Sequence, residues 1–195
     1  MDPINILVAI NLFLTISANF SGAKTGLKTS ITKVIERPDT YLQKWPPNIS
    51  AIILLISILG VFGIGTFNAS QMENYNVIRI VGLVLFVIFS WLQIFAYKSL
   101  GKNYAQDIVI KKEHELVTSG VFKVVRHPQY ISQLLSDLGL GLALLSYVVT
   151  PLVIIVEIPL FIARALLEEK MLLKHFGDKY INYKKHSGFI VPFIG

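Results

Sequence analysis

The chain has 195 residues, 53% of them hydrophobic and 15% charged, and a formal net charge of +6. Its mean hydropathy is +0.61, whereas an ordinary soluble domain carries about 25% charged residues. These values exclude a water-soluble globule and point to a single membrane domain over 1–195, with helix packed on helix in lipid; the absence of cysteine excludes disulfides, thiolate zinc sites and cysteine nucleophiles.

Apolar runs over about 4–20, 49–67 and 77–97 each approach the roughly 20 residues that cross a bilayer. The next apolar stretch, 130–167, is too long for one span and is interrupted at Thr150-Pro151. Thr as N-cap with Pro at the first helical position marks a helix start, which divides this region into spans over 129–149 and 151–172. The expectation is an all-α integral membrane protein of five transmembrane helices, the fourth and fifth forming a tight helical hairpin. Pro159 removes a backbone hydrogen bond to the carbonyl of Ile155 and predicts a kink in the fifth helix.

Basic residues follow the same count. Lys24, Lys28, Lys33, Arg37 and Lys44 precede the second span, and Lys98, Lys102, Lys111, Lys112, Lys123 and Arg126 separate the third from the fourth. Lys170, Lys174, Lys179, Lys184 and Lys185 follow, while no basic residue precedes the first span and QMENYN carries none, Arg79 lying just inside the third span. Cytoplasmic loops collect Lys and Arg, so this multi-pass chain is expected to have its N-terminus outside and its C-terminus in the cytoplasm. The same lack of basic residues before Ile4 argues against a cleaved signal peptide. Tyr41 and Trp45 suit interfacial anchors.

Chemistry is sought where polar groups sit among apolar ones. Glu157, Arg164 and Glu168 fall within roughly 40° of one line on a helix, and Gln129, Gln133 and Asp137 share an arc of about 80° on the preceding one. Each stripe has two readings. For the first, an Arg164–Glu168 ion pair or an Arg164 that snorkels, with Glu157 a buried protonated carboxyl bonded to a neighbouring helix, stands against a functional site; for the second, interhelical bonding stands against a ligand cavity. Upstream, VVRHPQYIS places Pro128 at a helix start where free N–H groups near Gln129 and Tyr130 meet Arg126 and His127. That is an anion site, or a place where Arg126 and His127 face lipid phosphates. HELVTSG, just before it, reads as a short strand-like piece closed by a turn. His114, His127, His175 and His186 show no metal-ligand spacing, so no metal is expected.

As a set, LVTSGVFKVVRHPQY, then EEKMLLKHFGDKYINYKK and a terminal VPFI, closely resemble the isoprenylcysteine carboxyl methyltransferase family over Leu116 to Ile194. The resemblance implies S-adenosyl-L-methionine as cofactor, held in a cytoplasmic pocket built from segments 110–130 and 164–195. By position it implies cofactor-binding roles for His114, Glu115, Leu116, Val117, Phe122, His127, Pro128, Gln129, Tyr130 and Glu168. It gives Arg164 the catalytic task of orienting the substrate carboxylate by a bidentate contact. Phe122 stands where the family often has tyrosine, and Ser132 where it often has glycine. The implied reaction is carboxyl O-methylation of a lipophilic, isoprenylcysteine-like small molecule or prenylated peptide at the cytoplasmic face, with membrane lipid as surroundings, no nucleic acid, and no oligomeric state specified. A phospholipid or other lipid amine N-methyltransferase shares much of the cofactor motif, a sterol-type membrane reductase has an HPxY-like element, and non-enzymatic lipid sensing is a further class.

Overall fold

The computed structural model describes residues 2–31, 34–68, 73–192 and 194, and the chain is mostly helical. In order come α1 (Pro3–Ile31), β1 (Val34–Glu36), α2 (Trp45–Val61), α3 (Asn76–Leu100), β2 (Ile110–Lys111), α4 (Pro128–Ala143), α5 (Val149–Leu152), a π turn (Val153–Glu157), α6 (Ile158–Phe176) and α7 (Asp178–Lys184). Among the described residues three runs are long and apolar enough to cross a membrane, Tyr41–Val61, Asn76–Asn103 and the continuous Val149–Phe176, and Pro3–Asn19 is a shorter apolar stretch. The chain is thus an integral membrane protein. Lys33, Gln71, Met72 and Phe193, which belong to the basic-cluster, loop and terminal motifs, lie outside the described residues.

Local chemistry explains where the helices depart from the apolar runs. Trp45–Val61 begins before the expected 49 because Pro46 and Pro47 occupy the first turn, where their missing N–H groups cost nothing. It ends before 67 because Gly63 (φ 85°) and Gly65 (φ 74°) turn the chain through a left-handed conformation. α4 stops at Ala143, six residues short of the expected 149. Leu145 adopts φ 51°, and Ser146 N–H donates to the Gly141 carbonyl at 2.8 Å. The expected cap was Thr150; α5 instead starts at Val149, after Val148, and the Ser146 Oγ accepts from Val149 N–H at 3.0 Å and donates to the Gly65 carbonyl. The disturbance expected at Pro159 takes the form of the π turn just ahead of it, one of the ways a helix absorbs a missing bond.

α3 and α4 make the most extensive helix contact, and the reason lies in two glycines. A Cβ on Gly82 would stand 2.5 Å from Ala143 N and 2.7 Å from Gly139 O, and one on Gly139 would stand 2.6 Å from Phe86 N. The two backbones touch, as small residues permit in membrane helices. Val8 and Leu12 of α1, Val61 of α2, Phe86 of α3 and Leu140 of α4 close over this seam as one core cluster.

Each end of the bundle is tied by loop contacts. At one end β1 pairs antiparallel with β2, Val34 opposite Lys111, and Val125 bridges in parallel to Gly188. Arg126 N–H donates to the Gly188 carbonyl at 2.8 Å and His127 N–H to that of Phe189 at 3.3 Å. The HELVTSG segment holds no strand: the strand lies upstream at Ile110–Lys111, and Gly120 (φ 60°) opens a 3-10 turn, Gly120–Lys123. At the opposite end Thr66 bridges to Ser146. There Arg79, 2% exposed, is paired with Asp2 and donates to the Ala143 carbonyl, and it holds the Asp2 carboxyl below its ordinary pKa.

Gly139→Ala should push α3 off α4 and cost about 1–3 kcal/mol, read as a lowered midpoint of thermal unfolding in detergent. An unchanged midpoint would mean that the seam is not close-packed.

Candidate active site

α4 starts at Pro128 with His127 as its N-cap residue, and no side chain caps its first N–H groups. This start faces a cavity of about 410 Å³. Every residue to which the resemblance gave a role lines it: His114, Glu115, Leu116 and Val117 from the loop after β2, Phe122 from the 3-10 turn, His127 to Tyr130 at the helix start, and Arg164 and Glu168 from α6. Gln133 and Asp137 of α4 line it too, so the two polar stripes meet in one space, while Glu157 is fully buried behind them.

The adjacent glutamates of α6 differ sharply in surroundings. Glu169 is buried and accepts from Arg126 Nε at 2.5 Å and Lys184 Nζ at 2.6 Å. Arg126 also donates to the carbonyls of Ser187 and Lys184. The guanidinium expected as part of an anion site borders the cavity but is already paired with Glu169 and tied to the chain end. Glu168, with its side chain 34% exposed, has His127 Nδ1 3.6 Å away and keeps its carboxylate open to the cavity. His127 stands between the two, its Nε2 3.5 Å from Glu169, and its ring is stacked on Tyr130 with centroids 5.4 Å apart.

Arg164 is 4% exposed and heavily engaged. Its Nε donates to Tyr130 Oη at 3.0 Å, Nη1 to the Leu42 and Gln43 carbonyls at 2.8 and 3.2 Å, and Nη2 to the Gln106 carbonyl. Four of the five guanidinium N–H groups are used. A bidentate grip on a carboxylate needs two, so as the side chain sits it offers a ligand a single donor. No ion pair within 4 Å joins it to Glu168 among the described residues. The Gln43 side chain extends the same network by pairing with both backbone groups of Ile108, at 2.8 and 2.9 Å.

Around the polar end, burial raises the pKa of Tyr104, pushes that of Tyr183 up to about 12 and lowers that of His114. His114 Nδ1 and Tyr180 Oη are buried without a hydrogen-bond partner. Asn103 Oδ1 accepts from Glu115 N–H at 3.0 Å and fixes the 114–117 loop, and Tyr183 Oη donates to the Phe122 carbonyl at 2.6 Å. Sequence reasoning assigned no role to Asn103, Tyr104, Tyr180 or Tyr183, all of which line the cavity. The D-x-Y-x-x-Y spacing of Tyr180 and Tyr183 was a usable signal, since three residues apart on a helix they share a face; Asn103 and Tyr104 carried none.

Residues 77–179 match the model of the phospholipid methyltransferase family. The chain belongs to that family. Its relatives include the protein-S-isoprenylcysteine O-methyltransferases of Tribolium castaneum, 28% identical over 68% of this chain and 48% of the relative, and of Saccharomyces cerevisiae, 32% identical over 59% and 49%. The Arabidopsis thaliana protein-S-isoprenylcysteine O-methyltransferase B is 27% identical over 74% of each chain. This chain spans about half the length of the beetle and yeast relatives. A solved eukaryotic intramembrane Ras methyltransferase, isoprenylcysteine carboxyl methyltransferase, superposes with a TM-score of 0.68 at 21% identity over all of this chain and 69% of that one, a likeness of fold. The resemblance seen in the C-terminal motifs is borne out, and the shared fold extends through α1 and α2, where no motif was recognised.

Glu169→Gln should lower the thermal midpoint by leaving Arg126 and Lys184 unpaired, at a cost of about 3–5 kcal/mol for a buried pair. Glu168→Gln should leave the midpoint unchanged and weaken binding of S-adenosylhomocysteine about tenfold. Equal effects of both variants on stability would dissolve the division.

Proposed function

We propose that this protein is an S-adenosyl-L-methionine-dependent carboxyl O-methyltransferase whose acceptor is an isoprenylcysteine-like lipophilic molecule or prenylated peptide. The observation that carries this reading is the single cavity whose wall holds an uncapped helix start, an open carboxylate at Glu168 and partnerless polar atoms at His114 and Tyr180. These groups fit the cofactor's chemistry: helix N–H groups suit its carboxylate, Glu168 its ammonium or ribose hydroxyls, and Leu116, Val117 and Phe122 a flat apolar base. The names of the relatives, protein-S-isoprenylcysteine O-methyltransferases, point to the same reaction and acceptor.

When bound, the cofactor supplies a methyl group already activated by its sulfonium. An acceptor α-carboxylate, with pKa of about 3.5, is an anion at neutral pH, so no side chain has to act as base. The work left to the protein is placement in a dry pocket. In this reading Arg164 meets one carboxylate oxygen with its remaining N–H while Tyr130, bonded to its Nε, fixes the guanidinium plane. The wall of α2, α3 and α4 keeps water from the far side.

Five helices are taken to cross the membrane, α1, α2, α3, α4 and the Val149–Phe176 run, with α4 and that run as a tight hairpin. α4 spans only about 24 Å, less than the roughly 30 Å hydrocarbon layer, so the lipid must thin or the neighbours must shield its ends. The basic clusters put the end that carries β1, β2, α7 and the cavity mouth in the cytoplasm, with the N-terminus outside. A phospholipid or lipid amine N-methyltransferase is the second reading, favoured by the description of the matching family.

Detergent-purified protein should bind S-adenosylhomocysteine and not NADPH, and should form a methyl ester on N-acetyl-S-farnesyl-cysteine; methylation of a lipid amine instead would transfer the assignment to the second reading. Arg164→Ala should lower kcat/KM for the carboxylate by about 2–5 kcal/mol with cofactor binding retained, and undiminished turnover would remove Arg164 from the reaction. In intact cells a cysteine replacing Lys179 should be shielded from an impermeant reagent and one replacing Tyr147 labelled. The reverse pattern would invert the topology.

A further inference from the structure

The cavity has a floor. Along each of its helical walls the lining ends at one level, since Leu12 on α1, Leu54 on α2, Phe86 on α3 and Leu140 on α4 are the last residues on it toward the end of the bundle that carries Arg79. One turn further Val8, Ile58, Leu83 and Ala143 continue the same helix faces. None of these lines the cavity, and they pack with the level above into one apolar cluster. A Cβ on Gly139 would stand 2.6 Å from Phe86 N, so Phe86 is carried on the backbone seam and cannot give way along it. Above the floor the walls suit a plain hydrocarbon chain. Leu12, Ile16, Ala51, Leu54 and Leu140 line them, and the polar groups between are bonded to one another: Gln93 donates to Gln133, Gln133 to Asp137 and Asn11 to Ser90, while Asp137 and Ser50 both bond Glu157 behind the wall.

A blind pocket limits the length of what it holds. Tyr130, bonded to Arg164 at 3.0 Å, lies ten residues before Leu140 on α4, which is about 15 Å of helix. An extended isoprene unit has four C–C bonds and covers about 5 Å, so three units cover about 15 Å and four about 20 Å. Resting on the methyl-transfer reading above, which seats the cysteine carboxylate at Arg164, we propose that this floor is a chain-length ruler: the acceptor carries a three-unit, farnesyl-type chain, and Phe86 and Leu140 exclude a four-unit one. A fourth unit has to displace the packed cluster below Leu140, and a shorter chain leaves the floor uncovered, so both are disfavoured.

N-acetyl-cysteines bearing S-geranyl, S-farnesyl and S-geranylgeranyl chains test this by binding to protein loaded with S-adenosylhomocysteine, where no methyl transfer occurs, after correction for their partition into detergent. The farnesyl compound should bind about tenfold more tightly than the geranylgeranyl one, and more tightly than the geranyl one. Phe86→Ala, which lowers the floor by a ring, should bring the geranylgeranyl compound level with the farnesyl one, and Leu54→Phe, which raises it, should move the optimum to geranyl, with S-adenosylhomocysteine affinity and thermal midpoint as controls for folding. Geranylgeranyl binding as tight as farnesyl binding in the wild type, the result if the chain leaves sideways between Ile16 and Ala51 into lipid, would overturn the proposal. So would an unchanged optimum in a folded variant, and if neither variant folds the wild-type series decides alone. A length optimum without methyl ester formation on these acceptors would refute the reaction assigned above and leave the ruler standing, whereas methyl ester formation without a length optimum would refute the ruler alone.

Discussion

The site depends on one buried charge. Glu169 gathers Arg126 and His127 at the start of α4 and Lys184 from α7, and thereby holds two separated parts of the chain against α6 at one end of the bundle. A carboxylate so placed would be costly alone, and the cations would be equally costly without it; together, with the Ser187 and Lys184 carbonyls completing Arg126, Glu169 and Arg126 are both matched. The register of His127 and Tyr130 beside the cavity follows, because the backbone of 126–127 is also bonded to 188–189. Glu168 can then face the cavity because its neighbour carries the structural load.

Arg164 does for the other wall what Glu169 does for this one. By donating to the carbonyls of Leu42, Gln43 and Gln106 it satisfies acceptors at the entrance to α2 and in the loop before β2, groups that would otherwise be stranded away from water. A residue can thus border a reaction space and brace it at once. The chemical task proposed for Arg164 rests on one N–H, and the geometry of that donor is set by the carbonyls that occupy the others.

Much of this was legible in the residues. Mean hydropathy and the spacing of apolar runs specify a helical membrane protein, and the two polar stripes point to a shared cavity because helical periodicity is a local property. Helix ends were less legible: the turn after Ala143 has Ser146 reaching forward to the first N–H of α5 and across to Gly65, and the second of these is a tertiary contact that the local Thr-Pro signal does not reveal. The partners of Arg126 and Arg164 were hidden for the same reason, since both bond to carbonyls, which leave no trace in a side-chain pattern. Glu168 and Glu169, identical in type and adjacent in sequence, are separated only by the 100° that one helical step turns them.

The contact between Gly82 and Gly139 has a mechanical consequence. Two helices whose main chains touch have no side chains between them to rotate aside, so α3 and α4 form a stiff plate that carries one side of the cavity wall. The wall opposite is different: α1 and α2 border the cavity through Leu12, Ile16, Ala51 and Leu54, and rotamer changes there cost far less than parting a backbone seam. A bulky molecule arriving from the bilayer would meet a hinge-free panel on one side and a yielding curtain on the other.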